Sequence, residues 1–191
     1  LGVANPDPNR KKLRSSTKIA LAGIIASLSV LFMFLTGVFP FAEYALPAMA
    51  GLILVILVVE IDFKTAVIAY VATSIIIVLT APSKVSAIYY VFFFGHYGIV
   101  KFKLELIRFK IPRLVVKFLY FNACIIAGFW VMVATMGMEQ VMESFGDFGK
   151  YSLLIFLVIV NIIFVVYDYC ITNFIKAYQL VFRPKYLRFL K

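Results

Sequence analysis

Residues 19–39 read IALAGIIASLSVLFMFLTGVF, 21 consecutive positions without a formal charge. A hydrocarbon core about 30 Å thick takes roughly 20 apolar residues per helical crossing, so this stretch is long enough to span a bilayer by itself. Five further apolar blocks follow, at 45–59, 65–81, 85–100, 114–136 and 151–175. Apolar side chains make up 64% of the 191 residues and the mean hydropathy is +1.02, which sets aside a soluble protein with a few buried helices. The third block, TAVIAYVATSIIIVLTA, is rich in β-branched residues and would read as a strand in water. In lipid the backbone must satisfy its own hydrogen bonds, so it is read as a helix. The expected fold is all-α, a polytopic membrane bundle of six transmembrane helices.

The blocks differ in quality. The second, ALPAMAGLILVILVV, has 15 residues with Pro47 near its start. It either crosses with Glu60 reaching the interface or tilts as a short helix within the bundle. The fourth ends in Gly95-His96-Tyr97-Gly98, glycines that permit a close turn or a helix end. The run that follows, FKLELIRFK at 102–110, reads as an amphipathic helix lying on the membrane surface, with Lys101 just before it.

Charge sets the expected orientation. With the N-terminus inside, the segments 1–18, 60–64, 101–117 and 176–191 hold all of the 19 Lys and Arg residues except Lys84 and Lys150. This is the positive-inside pattern of an even number of crossings, with both termini cytoplasmic. The formal net charge of +10 is then topological, with some attraction to lipid headgroups and no nucleic-acid partner expected. The expected organisation is a flexible cytoplasmic N-terminus at 1–16, a single six-helix domain at 17–176 and a basic tail at 177–191. The outer connection 137–150 carries Glu139, Glu143 and Asp147 and reads either as an interfacial cap or as a solvated loop.

Cys124 and Cys170 fall in separate membrane blocks and form no C-x-x-C motif, so both read as packing residues. The lone His96 lacks clustered ligand partners in the sequence, and neither a metal centre nor a cofactor is expected. A catalytic site is not expected either. Ser74 or Ser86 with His96 is the one thin nucleophile and base combination, and no G-x-S-x-G, H-E-x-x-H, P-loop or dinucleotide motif accompanies it.

In the first block Ala22 and Ala26 lie one turn apart, with Ala20 and Gly23 beside them. Small residues at this spacing let a second helix approach closely, whether within the bundle or from a partner. Six hydrophobic helices in about 190 residues, a basic segment before the first and this Ala-x-x-x-Ala face resemble the substrate-binding S component of energy-coupling factor vitamin transporters. The resemblance implies a bacterial or archaeal cell-membrane protein that captures a vitamin or related small molecule from outside. It also implies docking of Ala20, Ala22, Gly23 and Ala26 onto a transmembrane coupling subunit driven by two cytoplasmic ATPases.

Two residue sets are the polar candidates. Glu43, Lys84, Tyr89 and Tyr90 fall in the outer half, and with the deeper Asn161 they form a candidate binding set of charges, rings and an amide; the same tyrosines also read as interfacial anchors, as does Tyr44. Asp168, seven residues after Asn161 and on nearly the same helix face, needs a partner inside the membrane. Lys117 and Asn122 on the fifth block are its candidate partners in an intramembrane polar network, read either as a structural lock or as part of substrate or proton coupling. The rival function classes are a membrane assembly protein without a ligand cavity and an intramembrane enzyme.

Overall fold

A computed structural model describes residues 14–138, 141 and 152–182. Six helices account for most of them: α1 Ser15–Leu35, α2 Ala45–Glu60, α3 Phe63–Thr80, α4 Lys84–Leu104, α5 Lys110–Met136 and α6 Ser152–Ala177. Five are long and apolar enough to cross a membrane, and α2 is the shorter sixth. The chain is therefore a polytopic helical membrane bundle. The expected outer acidic residues Glu139, Glu143 and Asp147, together with 1–13 and the basic tail beyond 182, lie outside the described residues. The helix of the first block begins at Ser15, inside the segment expected to be a flexible terminus.

Two helices form the interior. α4 buries 56% of its membrane window against 17–22% for α1, α3, α5 and α6. The short α2 buries Leu46, Pro47, Ala50, Gly51, Leu54, Val55 and Leu57, leaving little of its surface for lipid. That explains how a 16-residue helix fits here: its neighbours are protein, so its length need not match the bilayer. The outward faces of the peripheral helices are large and apolar, including Ile24, Leu31, Ile68, Leu79, Leu119, Trp130 and Ile162.

Glycine sets the contact between the two central helices. A Cβ on Gly51 would lie 2.0 Å from the Phe94 carbonyl oxygen, and one on Gly98 would lie 2.3 Å from Val55 Cγ2. Only a residue without a side chain allows backbones this close. The Gly95–Gly98 segment therefore neither turns nor ends the helix, contrary to the sequence expectation, because its glycines serve packing. The surface-helix reading of 102–110 fails too. α4 runs on to Leu104, a turn follows, and α5 starts at Lys110.

α4 is not uniformly α-helical. Tyr90–Phe94 form a π-helical turn, which widens the ladder and leaves carbonyls open to side chains. The Val91 carbonyl accepts from the Tyr70 hydroxyl at 2.6 Å and the Phe94 carbonyl accepts from the Tyr167 hydroxyl at 3.3 Å. Tyr167 also reaches the Ala48 carbonyl, so α6 is tied to both central helices.

The bundle has one basic end. There Lys103 lies over the Phe63 ring, Lys18 is close enough to Asp62 to favour its carboxylate, and Lys101 meets Asp168. At the opposite end Glu43 accepts a hydrogen bond from Ser83 at 2.7 Å, and the described charges are Glu43 and Lys84.

Candidate functional site

The basic end holds a charge cluster built by three helices. Lys101 on α4 is 1% exposed, with its ammonium 2.7 Å from Asp168 Oδ1 on α6 and 3.6 Å from Oε1 of Glu105, the residue that caps the end of α4. Lys117 on α5 lies 3.0 Å from Asp168 Oδ1, 3.1 Å from its Oδ2 and 3.5 Å from Glu105 Oε1. The Tyr97 hydroxyl donates to Asp168 Oδ1 at 2.5 Å. Lys101 also donates to Thr172 Oγ1 at 2.6 Å and to the Asp168 backbone carbonyl. Two ammonium groups and two carboxylates balance one another, which is the condition for holding ions away from water. Asp168 joins all three helices.

The sequence pointed to Lys117 and Asp168, and the structure brings them together. Lys101 and Glu105 were read as belonging to a membrane-surface amphipathic helix and not as partners of Asp168. Their signal was the i,i+4 spacing of opposite charges, here filled across a helix contact as well as along one helix. Asn122 is not part of the cluster. Its amide pairs reciprocally with Asn161, at 3.2 and 3.3 Å, and each also donates to the carbonyl four residues earlier in its own helix. Next to this amide pair, Phe121 and Phe164 stack at 4.4 Å between ring centres.

The outer candidate set is not gathered in one cavity. Tyr90 is fully buried, its hydroxyl 3.1 Å from Ser29 Oγ and 2.8 Å from Thr73 Oγ1. Ser29 donates to the Ala50 carbonyl and Thr73 to the carbonyls of Ala69 and Tyr70 in its own helix, so the one Tyr90 proton is shared between two hydroxyl oxygens that both accept. Asn161 belongs to the amide pair, and Lys84 is exposed. Tyr89 stays near the opposite end, its ring 5.1 Å from that of Tyr44. It also lines an apolar groove between α4 and α5 with Ile88, Phe92, Cys124, Gly128 and Met132. The groove holds about 20 Å³, room for roughly one water molecule.

On α1, Ala22 and Ala26 are half-buried, with Ala22 against the core, whereas Ala20 and Gly23 are exposed and a Cβ on Gly23 would meet nothing within 4 Å. Ser86 donates to the Glu43 carbonyl, and the two ring nitrogens of His96 face Val91 and Cys124. Among the described residues no group of three or more His, Cys, Asp and Glu side chains is placed to hold a metal. Fold and site together define a polytopic helical membrane protein with a buried, charge-balanced ion cluster at its basic end. No protein-family model, curated protein or solved structure matches the chain.

Proposed function

We propose that this chain is the small-molecule-binding subunit of a membrane uptake system, open to the outer side and latched on the cytoplasmic side. The observation that carries this reading is the unequal attachment of α5 to α4. At the basic end Lys117 is joined to α4 and α6 by ions, whereas in the opposite half α5 meets α4 across the apolar Tyr89–Gly128 groove. Apolar walls slide and part at little cost in lipid, while separating a buried ion pair leaves charges unpaired. Opening is thus favoured on the groove side. The positive-inside rule puts the basic end in the cytoplasm, with both termini there.

Under this reading the captured molecule presents an apolar or aromatic face to Tyr89, Phe92 and Phe129. A coupling subunit with ATPases would power release, and its contact on α1 is the lipid-facing pair Ala20 and Gly23. Bulky residues at Ala22 and Ala26 would disturb the bundle itself, so Ala20→Leu with Gly23→Leu is the cleaner test of docking.

Mass spectrometry of small molecules retained by protein purified with native lipid tests the binding role. A compound should be retained near one per chain by wild type and lost from Gly128→Phe, which fills the groove. An empty wild-type protein, or equal retention by the variant, defeats the reading. The groove volume of about 20 Å³ favours the rival, a membrane assembly protein with a packed interior, and that rival predicts the empty result.

A further inference from the structure

We propose that His96 and Cys124 form a two-coordinate site for a soft monovalent cation, Cu(I) in chemical class, at the middle of the α4–α5 contact. His96 Nδ1 lies 3.1 Å from the Val91 carbonyl. A carbonyl only accepts, so this nitrogen carries the proton and Nε2 presents its lone pair. That lone pair faces Cys124 Sγ at 3.7 Å. Metal-binding imidazoles are oriented in this way, with the distal N–H held by a carbonyl and the proximal nitrogen free. The carbonyl is available because Val91 lies in the π-helical turn of α4.

The donor set selects the ion. Thiolate and imidazole together suit Cu(I), whereas Zn²⁺ asks for four ligands. A two-coordinate ion of this class is near-linear, and sulfur and nitrogen bonds of about 2.3 and 2.0 Å then place the donors about 4.3 Å apart, so His96 and Cys124 separate by about 0.6 Å from 3.7 Å on binding. Cys124 lines the α4–α5 groove, which gives an ion a way in, and the rings of Tyr70 and Tyr120 stand 5.5 and 5.7 Å from that of His96. On binding, the Cys124 S–H bond breaks, a sulfur–metal bond forms and the proton leaves to water; no electron is transferred. This site is independent of the uptake reading.

Silver(I) is the probe, since it shares the coordination chemistry and needs no reductant. The test uses the full-length chain in detergent with Cys170→Ser, so that Cys124 is its one thiol. One silver ion per chain should survive desalting, Cys124→Ser should abolish it, and His96→Gln should weaken it at least tenfold in competition with free histidine. Zinc should not compete. Because His96→Gln also removes the Val91 contact and could unsettle α4, protection supplies a second readout without it: silver should block alkylation of Cys124 by N-ethylmaleimide. Equal silver affinity in a folded His96→Gln variant would reduce the site to a lone thiol and overturn the proposal. Failure of silver to protect, equal competition by zinc, or a Cys124 that N-ethylmaleimide never reaches would overturn it as well.

Discussion

Tyr90 and Asp168 each bind several helices together through buried polar groups, but in different ways. Around Tyr90 the partners are neutral hydroxyls on α1 and α3 and a carbonyl on α2, in a region sealed by Ile25, Met33, Leu54 and Ile77. Around Asp168 they are two ammonium groups, a phenol and a neighbouring carboxylate, and Asp168 itself keeps 26% exposure. A neutral chain of hydrogen bonds can be placed deep, because a missing partner exposes only a dipole. An ionic hub must stay balanced and near an end of the bundle. The difference divides the molecule. α1–α4 close on one another through glycine and hydroxyls, while α5 and α6 attach through aromatic side chains, an amide pair and ions.

The sharpest way to break this contrast is to unbalance the ionic hub. Asp168→Ala leaves Lys101 and Lys117 with one carboxylate, Glu105, between them and should lower stability by about 3–5 kcal/mol, read by thermal denaturation in detergent. Lys117→Met with Asp168→Leu removes one charge of each sign, leaves Lys101 with Glu105, and should recover more than half of that loss. Next comes the seam between the central helices. Gly51→Ala places a methyl on the Phe94 carbonyl and should cost about 1–3 kcal/mol in the same measurement. Tyr90→Phe deletes the neutral hub's central hydroxyl and should cost about 1 kcal/mol. A loss for Tyr90→Phe as large as that for Asp168→Ala would erase the distinction between the hubs.

The smallest effect concerns Asp62, which caps α3 by accepting from the Thr65 amide at 2.6 Å. That hydrogen bond, with Lys18 and Lys64 nearby, holds its carboxyl below the ordinary carboxylate range. Its contribution is present above the unfolded value of about 3.9 and is lost as the pH falls through the lower folded value. Asp62→Ala should cost about 0.5–1 kcal/mol at neutral pH. The difference from wild type should vanish in acid, as followed by thermal denaturation across a pH series.

Much of the fold was legible because bilayer thickness fixes helix length. Six apolar blocks became six helices, and even the doubtful 45–59 block formed one. The interior was harder to read. Hydropathy does not distinguish a glycine that ends a helix from one that lets two helices touch, so Gly95 and Gly98 were read as breakers. Nor does it show that Lys101 turns inward while Lys103, two positions on, stays out; that depends on which neighbour α4 meets. The π-helical turn at Tyr90–Phe94 left no mark in composition, and with it went the placement of His96. Asp168 was legible because a lone carboxylate in an apolar helix demands a cation.

The most direct test of the outward-opening, inward-latched account is side-specific labelling of one cysteine, Gly128→Cys, in a Cys124→Ser and Cys170→Ser background. A membrane-impermeant maleimide should reach position 128 from the outer face of right-side-out vesicles and not from the inner face of inverted ones. Adding Asp168→Asn should open the inner route. Equal labelling from both faces before the latch is altered, or an inner route that stays closed after Asp168→Asn in a protein that remains folded, would contradict it.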